Sequence, residues 1–435
     1  MSAGNPGSQG GAPSLSGGGG AGGTAPRGGA SPAGGVAPSA GGNAGNVNTG
    51  ASAGQGSGNG GARGGTTSAG GGSGGAASGS SGASASDGVP PVISAGVRWV
   101  GRVDTSNPAG PRFAWSGTGF IATVEGDTIS VKMRSDGGSD PVYFQPVIDG
   151  MPKTRVSVAT SEGEKVLMLG SALGPGDHTV ALYRETEGKP DQAVSTFTGF
   201  ASGTLKDPPP YSGRLLEIIG DSISAGYGNL GSEQHPNGGD DPNGGCRFST
   251  ATESAYLTYG AIAARTLDAD ASIVAASGWG VYSDNGGNTS NVLSNLYGNA
   301  VGGMTAPAWS FSLKPQAVVI NLGTNDFSAN MALAQSAFSA PYKALLASVR
   351  SKYPDALILC GIGPLLYGSG LSNATSYINA IVAEVNAAGD PNVKVMNFGQ
   401  QDATKGTGCD WHPNATENQR MADILVRELR ATLGW

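Results

Sequence analysis

Four short stretches carry the groups that acyl transfer needs. Gly220-Asp221-Ser222 follows the apolar residues Leu215, Leu216, Ile218 and Ile219, a pattern that predicts a buried strand of a parallel sheet. Open α/β sheets hold their ligands at the carboxyl ends of their strands, so Ser222 is a candidate nucleophile. Ala276-Ser277-Gly278-Trp279-Gly280 follows the strand-like run from Ala271 to Ala275. Asn321-Leu322-Gly323-Thr324-Asn325-Asp326 follows Ala317-Val318-Val319-Ile320, and Cys409-Asp410-Trp411-His412-Pro413 precedes the last helical pattern. A serine hydroxyl is inert without a neighbouring base, and His412 is the candidate for that base. The tetrahedral intermediate of acyl transfer places charge on a carbonyl oxygen. The backbone N–H groups of Ser222 and Gly278 and the side-chain amide of Asn325 are candidate donors to it, each worth about 2.7–4 kcal/mol of barrier. Glycine at 278 lets the backbone approach with no Cβ in the way. Singly, each stretch has a plainer reading: a Ser/Gly turn, an asparagine turn, packed tryptophans, a histidine at a helix start. Together and in this order, at strand ends, they predict a serine acyl hydrolase.

The elements that must position these groups are legible from periodicity. Strand-like runs at 215–219, 271–276, 316–321, 355–360 and 392–397 alternate with helical ones at 252–267, 332–352, 374–387 and 415–433. Such alternation predicts a parallel sheet covered on both faces, hence an α/β catalytic domain over 211–435. In the last helix Met421, Ile424, Leu425 and Leu429 form a core-facing stripe, and Asn414 with Glu417 resembles a capping box. Upstream, over 91–206, the pattern is β. Ile121 to Val124 and Thr128 to Val131 flank an expected turn at Glu125-Gly126-Asp127. Tyr143 to Ile148, Lys165 to Leu169 and His178 to Tyr183 are further strands with turn residues between them, which predicts a jelly-roll-like β-sandwich. His178 reads as a surface or edge histidine. Lys206-Asp207-Pro208-Pro209-Pro210 is a stiff linker between the two domains. Residues 1–90 are mostly Gly, Ser, Ala, Asn, Thr and Pro, with only Arg27, Arg63 and Asp87 charged. Such a segment buries too little apolar surface to offset its ordering entropy, and reads as a disordered tether.

Composition excludes several classes. The net charge is −7 and charged residues make up 13% of the chain, so no basic stripe is available for nucleic acid. No apolar run approaches the roughly 20 residues that span a bilayer. The start, MSAGNPG, shows no signal peptide, which leaves a removed leader or a lipid anchor open. Asp240 and Asp241 do not fit a calcium loop and read as solvated turn residues, and His235 reads as a loop residue. No metal or other cofactor is expected. Of the three cysteines, Cys360 lies in an apolar run and reads as core. Cys246 and Cys409 stand in loops that could share one rim of the site, where they are candidates for a disulfide; that pairing would fit an extracytoplasmic compartment.

Serine, glycine, asparagine and histidine in this order match the signature residues of the SGNH (GDSL) hydrolases. One position departs from that resemblance: the aspartate usual three residues before the histidine is Cys409 here, and Asp410 lies two before it. Either the Asp410 side chain reaches the imidazole N–H, or a nearby backbone carbonyl, such as that of Trp411, orients the ring. Across both domains, Gly101-Arg102-Val103-Asp104, Gly110 to Gly117, Tyr183-Arg184-Glu185-Thr186-Glu187, GDSISAGYG, Glu253-Ser254-Ala255-Tyr256, GTND and DWHPN resemble carbohydrate esterase family 2, from about Arg98 to Trp435. The resemblance implies a β-sandwich joined to an SGNH domain that removes acetyl groups from acetylated plant polysaccharides such as xylan and glucomannan. It also implies that a serine–histidine dyad or a shifted acid suffices. Trp279 and Trp411, beside the catalytic stretches, are then candidate substrate-binding residues, since aromatic faces suit sugar rings. A lipase or thioesterase on the same scaffold and a non-catalytic carbohydrate-binding protein are the alternatives, and oligomeric state stays open.

Overall fold

Leu215–Gly220 is fully buried and is flanked on both sides by parallel partners, Asp270–Ala275 and Ala317–Asn321. Leu357–Ile362 and Val393–Asn397 extend the sheet beyond Ala317–Asn321, again in parallel. By chain order the five strands run 2-1-3-4-5. That is the flavodoxin-like order, in which the switch point between the first and third strands opens a crevice at the carboxyl ends. The structure, a computed structural model, describes residues 93–189, 192–231, 246–304 and 307–435. The expected tether at 1–90 and the loop residues His235, Asp240 and Asp241 lie outside them.

Helices cover both faces of the sheet: α1 (Ser222–Ala225), α2 (Tyr259–Thr266), α3 (Thr324–Ala329), α4 (Gln335–Lys352), α5 (Gly368–Ala387) and α6 (Ala415–Leu433). On one face, Met421, Leu425 and Leu429 of α6 pack with Tyr259 and Ile262 of α2 against Ile218 and Val319. On the other, Phe338, Tyr342 and Leu345 of α4 and Ile378 of α5 pack against Ile219, Val318 and Ile320. Asn414 caps α6 by accepting the Glu417 N–H at 2.9 Å, a bond whose loss typically costs about 1 kcal/mol. The helix expected over 252–267 is shorter than its pattern. Ser254 accepts the Leu257 N–H and Thr258 accepts the Ala261 N–H. These side chains compete with the helical ladder, so two short 3₁₀ turns precede α2 in place of its first turns.

The preceding domain is antiparallel, with Trp99, Phe113, Phe120, Phe144 and Phe197 in its core. The turn expected at Glu125-Gly126-Asp127 is instead the middle of one 18-residue strand, Gly119–Asp136. Its first half pairs with Asp177–Arg184 and its second with Lys165–Gly170. A strand that changes partners in this way makes a sandwich corner, and Gly126, at φ 144°, supplies the bend. His178 is buried. Its Nδ1 lies 2.7 Å from the Asp149 carboxylate, and that hydrogen bond, with a second contact to the Gly174 carbonyl, raises its pKa.

Buried charge joins the two domains. The Arg102 guanidinium, from the sandwich, meets the Glu217 carboxylate at 3.3 Å inside the central strand Leu215–Gly220. Glu217 also accepts the Tyr297 and Tyr353 hydroxyls at 2.9 and 3.2 Å, while Arg102 lies over the rings of Tyr297, Trp309 and Phe311. Arg98 pairs with Asp270 on the neighbouring strand. Removing one member of such a pair leaves the other charged and buried, at a cost of about 3–5 kcal/mol. Arg102→Met should therefore lower the unfolding free energy by that amount in urea denaturation; a change below about 1 kcal/mol would show that the tyrosine hydroxyls alone hold Glu217.

Candidate active site

Ser222 opens α1 directly after the central strand. Asp221 caps the turn, its carboxylate accepting the Ile223 N–H at 3.1 Å. Burial pushes that carboxyl up to about 7, against the Ile223 bond, and the Asp326 charge adds to the rise. Ser222 is 5% exposed, and its Oγ lies 2.8 Å from His412 Nε2. That is hydrogen-bond reach between a nucleophile and a base.

The other ring nitrogen, His412 Nδ1, lies 3.0 Å from the main-chain oxygen of Asp410. A bond there makes Nδ1 the donor and leaves Nε2 free to accept from Ser222. The Asp410 carboxylate does not face the ring; it accepts the Tyr227 hydroxyl at 3.0 Å and the Phe248 N–H at 2.9 Å. Of the two arrangements open in the sequence, the structure has the main-chain one, with the carbonyl of Asp410 rather than of Trp411. The Trp411 oxygen accepts the Gln401 amide at 2.7 Å. The physical reason is local backbone. Asp410 and Trp411 are both left-handed, at φ 49° and 68°, which turns the 410 carbonyl toward the imidazole and the carboxylate away from it. Consecutive left-handed residues other than glycine cost about 1–3 kcal/mol each and persist only where their surroundings over-determine them.

Those surroundings are visible. Cys409 is disulfide-bonded to Cys246. The Asp410 N–H donates to the Cys246 carbonyl at 3.1 Å, and the Cys409 N–H to the Gly228 carbonyl at 2.9 Å. Gly228 has φ 61°, and a Cβ there would stand 2.8 Å from Cys409 Cβ, so the GYG of the serine stretch provides the seat for the histidine loop. Tyr227 stacks between Phe248, at 4.0 Å, and His412, at 4.2 Å. Desolvation of the ring lowers the His412 pKa below the ordinary 6.5, although the Asp410 carbonyl bond and the Asp410 charge oppose it.

Asn325 is in the first turn of α3, after the third strand, and is 7% exposed. Its amide donates one hydrogen to the Trp279 carbonyl at 3.0 Å, leaving its second for another acceptor. Beside it the Asp326 carboxylate accepts the N–H groups of Val281, Tyr282 and Ser283 at 2.6 to 3.1 Å. Burial raises the Asp326 pKa against those three bonds. Asn325 and Asp326 thus grip the loop that carries Gly278, which has φ 81°. Among the described residues, neither the Ser222 nor the Gly278 N–H donates to a protein acceptor. The four stretches therefore lie together at the carboxyl end of the sheet. The sequence reading left Asp221 and Asp326 without a role, although their adjacency to Ser222 and Asn325 was a signal. Trp279 packs partly into the core, while Trp411 is 51% exposed. Tyr367, 58% exposed on the loop after Leu357–Ile362, is an aromatic at the same end of the sheet that the pattern did not single out. Among the described residues no group of three or more His, Cys, Asp or Glu side chains is placed to hold a metal ion.

Residues 99–209 match the family described as Carbohydrate esterase 2 N-terminal, and residues 216–425 match GDSL-like Lipase/Acylhydrolase. The chain is 37% identical over 342 residues to Cellulase/esterase CelE of Acetivibrio thermocellus, covering 78% of this chain but 40% of that longer protein. It is 27% identical to an Acetylxylan esterase / glucomannan deacetylase of Cellvibrio japonicus, covering 77% of this chain and 90% of the relative. A family two carbohydrate esterase from Clostridium thermocellum, solved in complex with cellohexaose, superposes with a TM-score of 0.71 at 37% identity, over 78% of this chain and 99% of that one.

Two outcomes follow from this geometry. Asp410→Asn keeps the main-chain oxygen on Nδ1, so kcat on an acetyl ester should fall by less than about tenfold, against the roughly 10⁴ lost where a carboxylate carries the imidazolium; a thousandfold loss would refute the main-chain assignment. A base must be neutral to accept the serine proton. The acid limb of kcat/KM should therefore fall with a midpoint below 6.5, and a midpoint above that value would contradict the desolvated ring.

Proposed function

We propose that this chain, which belongs to carbohydrate esterase family 2, is a serine esterase that removes O-acetyl groups from plant cell-wall polysaccharides through an acyl-enzyme intermediate. Carboxylic ester hydrolysis is the reaction class of its named relatives and of its GDSL-type domain. The observation that carries the mechanism is the 2.8 Å contact between Ser222 Oγ and His412 Nε2.

In the proposed reaction Ser222 Oγ attacks the acetyl carbonyl while His412 Nε2 takes its proton. The carbonyl oxygen becomes an oxyanion received by the N–H groups of Ser222 and Gly278 and the free amide hydrogen of Asn325. Collapse breaks the bond to the sugar oxygen, to which His412 returns the proton. Water, deprotonated by His412, then attacks the acetyl-enzyme; the bond to Ser222 Oγ breaks, His412 returns the proton to that oxygen, and acetate leaves. The Asp410 carbonyl holds the ring in the tautomer that both half-reactions need. The names of the Cellvibrio relatives, acetylxylan esterase and glucomannan deacetylase, support an acetylated plant polysaccharide as substrate. The exposed faces of Trp411 and Tyr367 suit stacking on sugar rings, and the partly packed Trp279 flanks the glycine donor. An extracellular or cell-surface site of action is supported by the Cys246–Cys409 disulfide. No helix among the described residues is long and apolar enough to cross a membrane.

Turnover of acetyl, butyryl and long-chain acyl esters, with acetylated xylan and glucomannan alongside, tests the reading. Acetyl esters should be preferred, and Ser222→Ala and His412→Ala should each abolish turnover without adding when combined. Preference for long acyl chains would indicate a lipase. Binding of polysaccharide without turnover would indicate a carbohydrate-binding protein.

A further inference from the structure

Immediately after the sandwich strand Asp177–Arg184 the chain makes a hook, Glu185-Thr186-Glu187, that enters the catalytic domain. Both glutamates are fully buried. The Glu185 carboxylate accepts the Ser254 hydroxyl at 2.9 Å and the Tyr256 N–H at 2.8 Å, just before α2. Glu187 reaches further. Its Oε2 accepts the Ser277 N–H at 2.7 Å, one peptide before the Gly278 N–H assigned to the oxyanion. The hook is itself held from within. Arg184, also fully buried, donates to the carbonyls of Thr186, Glu187 and Ala193 and to the Ser195 hydroxyl at 2.7 to 3.1 Å.

The Gly278 turn is thus fixed from two domains. On its far side Asn325 holds the Trp279 carbonyl and Asp326 holds the next three N–H groups. The Asn285 N–H holds the Gly278 carbonyl at 2.9 Å. On its near side the bond comes from the sandwich. A glycine with positive φ has the least intrinsic preference for one orientation, so the direction of its N–H depends on what anchors the neighbouring peptides. A charge-assisted bond at 2.7 Å is a strong anchor.

We propose that Glu187 is a positioning residue for the oxyanion hole: the sandwich domain, through the Glu187 carboxylate on the Ser277 N–H, sets the direction of the Gly278 donor. The negative charge so close to an oxyanion site is offset within the hook. Arg184 lies beneath it, Lys189 Nζ is 3.9 Å from Glu187 Oε1, and the Glu187 N–H donates to the buried Glu253 carboxyl at 3.1 Å. Burial, with the Glu187 charge adding to it, holds the Glu253 pKa well above the usual carboxylate range. The sandwich is in this sense part of the catalytic apparatus.

The inference rests on the esterase reading, and the test separates the two. Wild type, Ser222→Ala, Glu187→Leu and Glu187→Gln are assayed on an acetyl ester and for binding of an alkylboronic acid, whose tetrahedral adduct with Ser222 places an oxygen in the oxyanion hole. Glu187→Leu should lower kcat roughly 10- to 100-fold with KM within about threefold, since misplacing a single donor costs that much. Boronate affinity should fall in parallel. Glu187→Gln keeps an acceptor oxygen and should restore kcat to within about threefold of wild type. If the folded Leu variant keeps kcat within threefold, or loses kcat without losing boronate affinity, the positioning role is wrong; so it is if a folded Gln variant fails to restore kcat. Should the Leu variant not fold, Glu187→Asp, which withdraws the carboxylate by one methylene, should lower kcat at least fivefold, and retention within twofold overturns the proposal. A wild type without esterase activity, or boronate binding undiminished in Ser222→Ala, would instead overturn the reading of the site itself.

Discussion

The site depends on the bond between His412 Nδ1 and the main-chain oxygen of Asp410. A carbonyl fixes the tautomer and direction of an imidazole but brings only a dipole to an imidazolium, where a carboxylate brings a full charge. The accuracy of the base therefore comes from backbone geometry, and that geometry lies in the left-handed region at two successive residues. Its cost is met by the Cys246 disulfide, by the seat at Gly228, and by the hydrogen bonds that hold Asp410 and Trp411 on either side. The acidic residue next to the histidine thus contributes through its peptide group, while its carboxylate is used as a brace.

The same economy governs the relation between the domains. Each sandwich charge that enters the catalytic domain meets a backbone or side-chain group near the sheet: Arg102 on Glu217, Arg98 on Asp270, Glu185 on Ser254, Glu187 on Ser277. Full burial of such groups costs several kcal/mol apiece unless every partner is in place, so the two domains have few alternative ways to dock. Specific docking is what a buried polar network can provide at the expense of stability, and here part of that expense is visible in Arg98 Nε and Arg102 Nε, which have no hydrogen-bond partner among the described residues.

How much of this was legible depends on the range of the interaction. Runs such as Ala317 to Ile320 announce buried strands because burial on both faces demands apolar residues locally. Ser222, Gly278 and Asn325 could be singled out because each stands just beyond such a run, and His412 because it stands just before the last helical pattern. The Glu125-Gly126-Asp127 segment looked like a turn because glycine and aspartate favour turns; only the change of partner strands shows why the chain continues extended. Glu217 sits inside an otherwise apolar run, and its reason, Arg102, lies 115 residues away. Glu187 stood within a recognisable motif, yet its target on Ser277 depends on how two domains meet. Local sequence encodes local structure, whereas these cross-domain bonds are properties of the packed whole.

A weakly supported imidazolium alters where the catalytic effort must lie. The lowered His412 pKa keeps the ring neutral at neutral pH, ready to accept a proton, while making it a weaker base than an ordinary histidine. The loss in basicity is recovered only if the negative end of the transition state is well stabilised, because the proton and the oxyanion develop together. On the proposed mechanism that burden falls on the three proposed oxyanion donors, and the loop around Gly278 is tied at Ser277, Trp279 and residues 281–283 at once. Rigid donors need no reorganisation as charge forms. A histidine held by a carbonyl and an oxyanion loop held from two domains are, on this argument, two parts of one solution.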